Sequence, residues 1–206
     1  RISEHIVEII SDSGEGAQTA GQMFATVSAK MGNGVWTVEI IPAEIEPPAR
    51  SIEGASGNRI RLCSGAVTNA GDAADVIIAL NEQVLIGREA AGEFKQGAHI
   101  LLENKWANDP SDEIREQYAA ALQEFAERGF VVHELPIEEA CLKFTENPRL
   151  GTNMFLLGML CHIFQREVSI ASNEIATLFE RKGPKVVELN QQLLHGGVEF
   201  AKEQLP

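Results

Sequence analysis

Ser11-Asp12-Ser13-Gly14-Glu15-Gly16 is the segment whose residue types and spacing best suit binding chemistry. It separates an apolar run from a stretch of small residues, and so a first strand from a first helix. Such a loop exposes backbone N–H groups, and the helix start adds a dipole that favours a phosphate, pyrophosphate or carboxylate. Ser13 could add a hydroxyl donor. Glu15 opposes an anion unless its side chain turns away. The spacing Gly14-x-Gly16-x-x-Thr19 lacks the third glycine of a dinucleotide fingerprint, and no Gly-Lys-Ser/Thr follows to make a phosphate-binding Walker loop. Glu39 is the candidate ribose-binding acid, but Ile40-Ile41 carry the strand on past it. Two readings stay open: an anion cradle, or a tight turn that binds nothing.

The second candidate is the polar, Pro- and Gly-rich stretch from Pro42 to Gly57. Arg50 sits there among small residues, where backbone can approach a ligand and a guanidinium can pair a phosphate or carboxylate. The alternative is a solvated loop in which Arg50 pairs with Glu46 or Glu53. The five histidines, His5, His99, His133, His162 and His195, form no metal-ligand spacing. His99 and His133 fall in apolar strands and His162 in an apolar helix, which predicts satisfied core positions. Cys161-His162 cannot act as a nucleophile pair, because helical neighbours point about 100° apart. No G-x-S-x-G elbow is present. No self-sufficient catalytic centre emerges.

The elements that position these residues follow from periodicity and turn chemistry. Strands are expected at His5–Ile10, Val35–Ile41, Asn58–Cys63, Asp75–Leu80, Ala98–Glu103 and Phe130–Leu135. A small-residue helix from about Ala17 to Met31 joins the first two, ended by Gly32-Asn33-Gly34. That unit signals a parallel sheet. Asn58–Cys63 alternates Ile60 and Leu62 with Arg59 and Arg61, which suits an edge or half-exposed strand and a mixed sheet. Asp109-Pro110 reads as the N-cap and first residue of a helix that Gly129 ends. Thr152–Gln165 reads as a buried helix. Ser172 is expected to cap a short amphipathic helix, and Gly183-Pro184 to start the last one, which runs towards Lys202.

Composition narrows the function classes. The 206 residues carry 17 Lys plus Arg and 30 Asp plus Glu, a net charge of −13. That disfavours nucleic acid and anionic membrane surfaces as partners. The three cysteines, Cys63, Cys141 and Cys161, are odd in number and form no C-x-x-C, so a reduced, cytoplasmic setting without a disulfide framework is expected. Three thiols also fall short of the usual four for an iron–sulfur cluster. Met154–Phe164, the most apolar helical stretch, is far shorter than the roughly 20 residues that span a bilayer. No signal peptide is visible, and the start at Arg1 leaves room for residues ahead of it.

Several runs in this order are similar to one family: IISDSGEGAQTAGQMFATVSAKMG, VEIIPAEIEPPARSIEGASGNRIRL, DVIIALNEQVL, GAHILLEN and NPRLGTNMFLLGMLCHIF. They resemble the gamma subunit or domain of the 2-oxoacid:ferredoxin (acceptor) oxidoreductases, which include pyruvate, 2-oxoglutarate, ketoisovalerate and indolepyruvate enzymes. The resemblance runs from about His5 to Phe164 and more loosely to the end. The family's first loop often reads G-x-G-G-Q-G. Here Ser13-Gly14-Glu15-Gly16 looks closer to the form in 2-oxoglutarate-type members. Arg50-Ser51-Ile52-Glu53-Gly54 stands where the family has R-G-G.

The expected architecture over residues 1–206 is one α/β domain: a three-layer α/β/α, Rossmann-like fold with a sheet that is largely parallel, with a mixed sheet as the alternative. The resemblance implies a gamma component that helps to receive coenzyme A and packs against alpha, beta and, where present, delta subunits, with a dimer of such heteromers as one expected assembly. Such an enzyme oxidatively decarboxylates a 2-oxoacid to acyl-CoA and passes electrons to ferredoxin. Thiamine diphosphate, magnesium and iron–sulfur clusters would belong to the partner subunits; this chain has no Gly-Asp-Gly with a following Asn-Asn run to hold magnesium diphosphate. Ser13, Gly14, Glu15, Gly16, Arg50 and Ser51 are the candidate coenzyme A contacts, with no catalytic or metal-binding residue expected. The alternatives are a purely structural assembly subunit and a free-standing nucleotide-binding oxidoreductase.

Overall fold

The structure, a computed structural model, describes residues 3–205; Arg1, Ile2 and Pro206 lie outside the described residues. Six strands form one mixed sheet in the order β2-β3-β1-β4-β5-β6. They are β1 (Glu4–Asp12), β2 (Gly34–Ile40), β3 (Ala55–Cys63), β4 (Ala74–Ala79), β5 (Phe94–Glu103) and β6 (Val131–Leu135). Only β3 runs against the rest, antiparallel to both β1 and β2. The expected unit of β1, helix and second strand does form, but β2 lies two places from β1 and does not pair with it.

The period-two alternation of the strands sorts the core into two halves. Val7, Ile9, Ile60, Val76, Ile78 and Leu101 face helices α1 (Ala17–Lys30), α5 (Thr152–Ile163), α6 (Val168–Phe179) and α7 (Pro184–Gln204). Ile6, Ile10, Ile77, Ile100 and Leu102 face α2 (Gln83–Ala90) and α3 (Asp112–Glu127). A short α4 (Ile137–Cys141) follows β6. Neither α2 nor α4 is foreseen in the sequence, since eight and five residues are too few to show a clear helical period.

Asn58–Cys63 is not an edge strand. It is an inner one, and Asn58, Arg59 and Ile60 are buried. The arginine that looked solvent-facing is paired internally. The Glu8 carboxylate, fully buried on β1, accepts from Arg88 Nε at 2.7 Å and lies 3.2 Å from Arg59 Nε. Arg59 Nη1 also donates to Glu93 at 2.8 Å. Charge alternation therefore signals an internal ion network here, not exposure.

Three helix boundaries also differ. Ser111, not Asp109, is the N-cap of α3; Asp109 instead accepts the Ser111 N–H at 2.9 Å and forms the preceding turn. Ser172 lies inside α6, which starts at Val168 after Glu167. The buried helix α5 ends at Ile163, because Gln165 turns into the left-handed region at φ 52°.

Candidate functional site

The chain leaves β1 to one face of the sheet through α1 and leaves its parallel neighbour β4 to the other face through α2. In open α/β sheets this divergence opens a crevice at the carboxyl ends of the strands. The loop after β1 sits there. Gly14 and Gly16 take left-handed φ values of 86° and 91°, which non-glycine residues rarely adopt. Gly16 is the N-cap of α1, and neither a side-chain cap nor an acid in the first turn occupies the helix start. The first-turn N–H groups thus have no side-chain acceptor of their own.

Asp12 to Glu15 share a cleft of about 340 Å³ with Pro47, Pro48 and Ala49 of the second candidate loop and with Arg149. The two loops are tied together where they meet. Both oxygens of the Asp12 carboxylate accept the Arg50 N–H, each at 3.0 Å. Arg50 itself is held at φ 53°.

The six candidate residues take different places. Ser13 and Gly14 are exposed at the cleft, and a Cβ on Gly14 would meet nothing within 4 Å. Gly16 has a packing role as well, since a Cβ there would lie 2.9 Å from Asn153 Cβ on α5. Glu15 folds back, its carboxylate accepting the Asp12 N–H at 3.2 Å. Burial, and then the charge of Asp12, raise its pKa. Ser51 lies outside the cleft lining; its hydroxyl donates to Pro48 O at 2.7 Å and accepts the Gly54 N–H at 3.2 Å, which shapes the loop.

The Arg50 guanidinium turns away from the cleft. Its side chain, 8% exposed, pairs with Glu82, which is fully buried at the N-cap of α2. It also lies over the Trp106 ring, 4.1 Å from the centroid, and Trp106 Nε1 donates to Leu80 O at 2.8 Å. Neither Glu46 nor Glu53 is its partner. The cation that lines the cleft is Arg149, in the short turn Pro148–Leu150 before α5; it has no carboxylate within 4 Å among the described residues. Sequence reasoning missed Arg149 as a site residue. Its only signal was its place in NPRLGTNMF, a run with no binding pattern of its own.

His99 and His133 are not core histidines. His99 is exposed and His133 half-buried, and their rings stack with Nδ1 of the first 2.9 Å from Nε2 of the second. Cys141 and Cys161 are buried within the helical layer and Cys63 ends β3. Among the described residues no group of three or more His, Cys, Asp or Glu side chains could hold a metal ion, and no helix is long and apolar enough to cross a membrane.

A mixed α/β sheet with a cleft at its switch point places the chain among the open α/β folds. Residues 7–200 match the pyruvate ferredoxin/flavodoxin oxidoreductase family, and the chain belongs to that family. Among curated proteins it is 27% identical, over 216 residues, to the 2-oxoglutarate oxidoreductase subunit KorA of Mycobacterium tuberculosis. That alignment takes in 98% of this chain and 32% of the relative, so the chain spans about a third of the length of the curated relative it matches.

Solved structures share the fold. A 2-oxoglutarate:ferredoxin oxidoreductase from Magnetococcus marinus, with 2-oxoglutarate, coenzyme A and succinyl-CoA bound, superposes with a TM-score of 0.76 at 23% identity, over 98% of this chain and 32% of that one. The gamma subunit of a keto/oxoacid ferredoxin oxidoreductase from Geobacter sulfurreducens gives 0.68 at 15% identity, over 98% and 99%. The pyruvate oxidoreductase subunit PORC from Thermotoga maritima gives 0.63 at 18%, over 97% of each chain.

Proposed function

We propose that this chain is the gamma component, as a separate subunit or as a stretch of a longer polypeptide, of a cytoplasmic 2-oxoacid:ferredoxin oxidoreductase. The enzyme would decarboxylate a 2-oxoacid oxidatively to an acyl-CoA, and this chain would receive the phosphate-bearing part of coenzyme A and help to hold the assembly. The observation that carries the reading is the cleft between the Asp12–Glu15 and Pro47–Ala49 segments, with the loop that leads into the uncapped helix α1 on one wall and Arg149, unpaired among the described residues, on another. N–H dipoles and a guanidinium both favour phosphate oxygens. Ser13 and Gly14 would meet the ligand, and Gly16 sets the helix start. Arg50 and Ser51 fix the facing loop without touching the ligand.

Alpha, beta and delta partner subunits would hold thiamine diphosphate with magnesium, which supplies carbanion chemistry, and the clusters that pass electrons to ferredoxin. This chain's own residues would bind and orient the ligand. Exposed Ile41, Ile45 and Leu150 offer apolar surface for such partners to cover.

The test is the enzyme assembled with its thiamine-binding and cluster-bearing subunits. Replacing Arg149 with alanine removes a charge-assisted contact and is expected to raise the apparent KM for coenzyme A about tenfold. The KM for the 2-oxoacid should stay unchanged. If the variant assembles and its coenzyme A dependence is that of the parent, the chain is an assembly subunit only.

A further inference from the structure

A larger cavity, of about 660 Å³, opens under the turn between α5 and α6, towards the starts of the strands. His99 on β5 pairs in register with Val131, the first residue of β6, so the cavity lies away from the carboxyl-end cleft. Val76, Leu101, Ile163 and Val198 form an apolar floor. His99, His133, His162, Gln165, Arg166 and Lys202 supply the polar wall. No Asp or Glu lines it, in a chain whose net charge is −13.

The donors on this wall are only partly used. His99 Nδ1 and His133 Nε2 are 2.9 Å apart and share one hydrogen bond, and neither ring is otherwise bonded to the described residues. In the neutral pair this leaves one N–H donor, on the ring that accepts, and one bare nitrogen, on the ring that donates. Arg166 Nε donates to Phe164 O at 2.7 Å and Nη1 donates to Asn33, which fixes the guanidinium plane and leaves Nη2 over. Arg166 has no carboxylate within 4 Å among the described residues, and burial lowers its pKa, as expected for a cation without a counter-ion. Lys202 is drawn to Glu199 at 2.6 Å and so counts for less. The turn is held by strain: Gln165 sits at φ 52° where glycine would be usual, with the Arg166 N–H bonded to Cys161 O at 2.7 Å.

We propose that this cavity is a second ligand site, for a small monocarboxylate with an apolar tail. The carboxylate would accept from the one free N–H of the His99–His133 pair and from Arg166 Nη2, and the tail would lie on Val76, Leu101 and Val198. The volume falls in the range of small-molecule sites, which combine an apolar lining with a few convergent polar groups. A phosphate fits less well, because the wall has one free guanidinium and no run of open backbone N–H groups. The site is independent of the coenzyme A reading.

The test titrates the intact chain with hexanoate, followed by calorimetry and by the histidine ring resonances. Acetate, which lacks the tail, and 1-hexanol, which lacks the charge, are the controls. Hexanoate is expected to bind one per chain, at least tenfold more tightly than either control. It should shift the His99 and His133 resonances and not that of His195. Arg166→Gln and His133→Asn should each weaken hexanoate at least fivefold and leave hexanol unchanged. Should Arg166→Gln fail to fold, His133→Asn, at a half-exposed ring, carries the comparison. Equal binding of hexanol and hexanoate, or shifts that include His195, would overturn the site as mere apolar adsorption. Loss of hexanoate binding when the partner subunits assemble would overturn it in favour of a subunit contact.

Discussion

Asp12 closes the loop after β1 onto the loop after β2 by accepting the backbone N–H of Arg50 on both carboxylate oxygens, each at 3.0 Å. One short side chain thereby fixes the width of the cleft. Removing the acceptor from a part-buried donor costs about 1–3 kcal/mol. Asp12→Ala is expected to lower the unfolding free energy in urea by that amount and to weaken coenzyme A in the assembled enzyme. Asp12→Asn keeps one acceptor and should lose less than half as much stability.

The Arg50–Glu82 pair lies beneath the cleft, with 8% and 0% of the two side chains exposed. Breaking a buried pair from one side leaves an uncompensated charge and costs about 3–5 kcal/mol. Arg50→Met should destabilise the chain by this much in equilibrium denaturation. The double variant Arg50→Met, Glu82→Leu should be less destabilised than the sum of the two single variants, because no buried charge remains unpaired.

Glu15 is held on the wrong side of its own chemistry. Burial first, and Asp12 second, raise its pKa above the usual 4.5, so the folded chain binds this proton more tightly than the unfolded one. Its ionised form therefore opposes folding above the folded pKa, and the penalty fades as pH falls through that value and is gone below about 4.5. Glu15→Gln should raise the melting temperature at pH 7 and lose that advantage as the pH approaches 4. Removing a negative charge from the cleft should also lower the KM for coenzyme A by about two- to fivefold in low salt, and less at high ionic strength.

Helices α5 and α7 touch through glycine. A Cβ on Gly158 would lie 2.0 Å from Leu194 O, and one on Gly197 2.0 Å from Phe155 O. Neither neighbour is a movable side-chain end, so an added methyl forces the helices apart. Gly197→Ala is expected to cost about 2–3 kcal/mol, read from the urea midpoint, although alanine is the better helix former.

Thiol reactivity should divide the cysteines sharply. Burial pushes Cys141 up to about 11 and Cys161 up to about 12, so neither forms thiolate at pH 8. Cys63 is only half-buried, though desolvation and Glu4 raise it too. One cysteine per folded chain should be alkylated at pH 8, slowly, and all three in denaturant; counting labels by mass spectrometry checks this.

Much of the molecule is local information. The apolar runs define β1, β4 and β5 because strands covered on both faces need continuous hydrophobicity, and Gly32, Gly129 and Gly183-Pro184 punctuate helices because positive φ and a missing N–H are properties of single residues. The Ser13–Gly16 turn was legible for the same reason: two glycines after a strand prescribe their own backbone. What pairs with what was not. Arg59 reads as a solvent-facing residue until Glu8 and Glu93 meet it from β1 and the segment before β5, and Arg50 reads as a loop cation until Glu82 and Trp106 enclose it. Arg149, more than 130 residues after Gly14, enters the cleft only because α5 packs against α1, and His99 and His133 form a pair only because β5 and β6 are neighbours in register. Backbone conformation is set by a few adjacent residues and can be read from them; the partner of a charge is set by the sheet order and the helix packing that bring distant residues within a few ångströms.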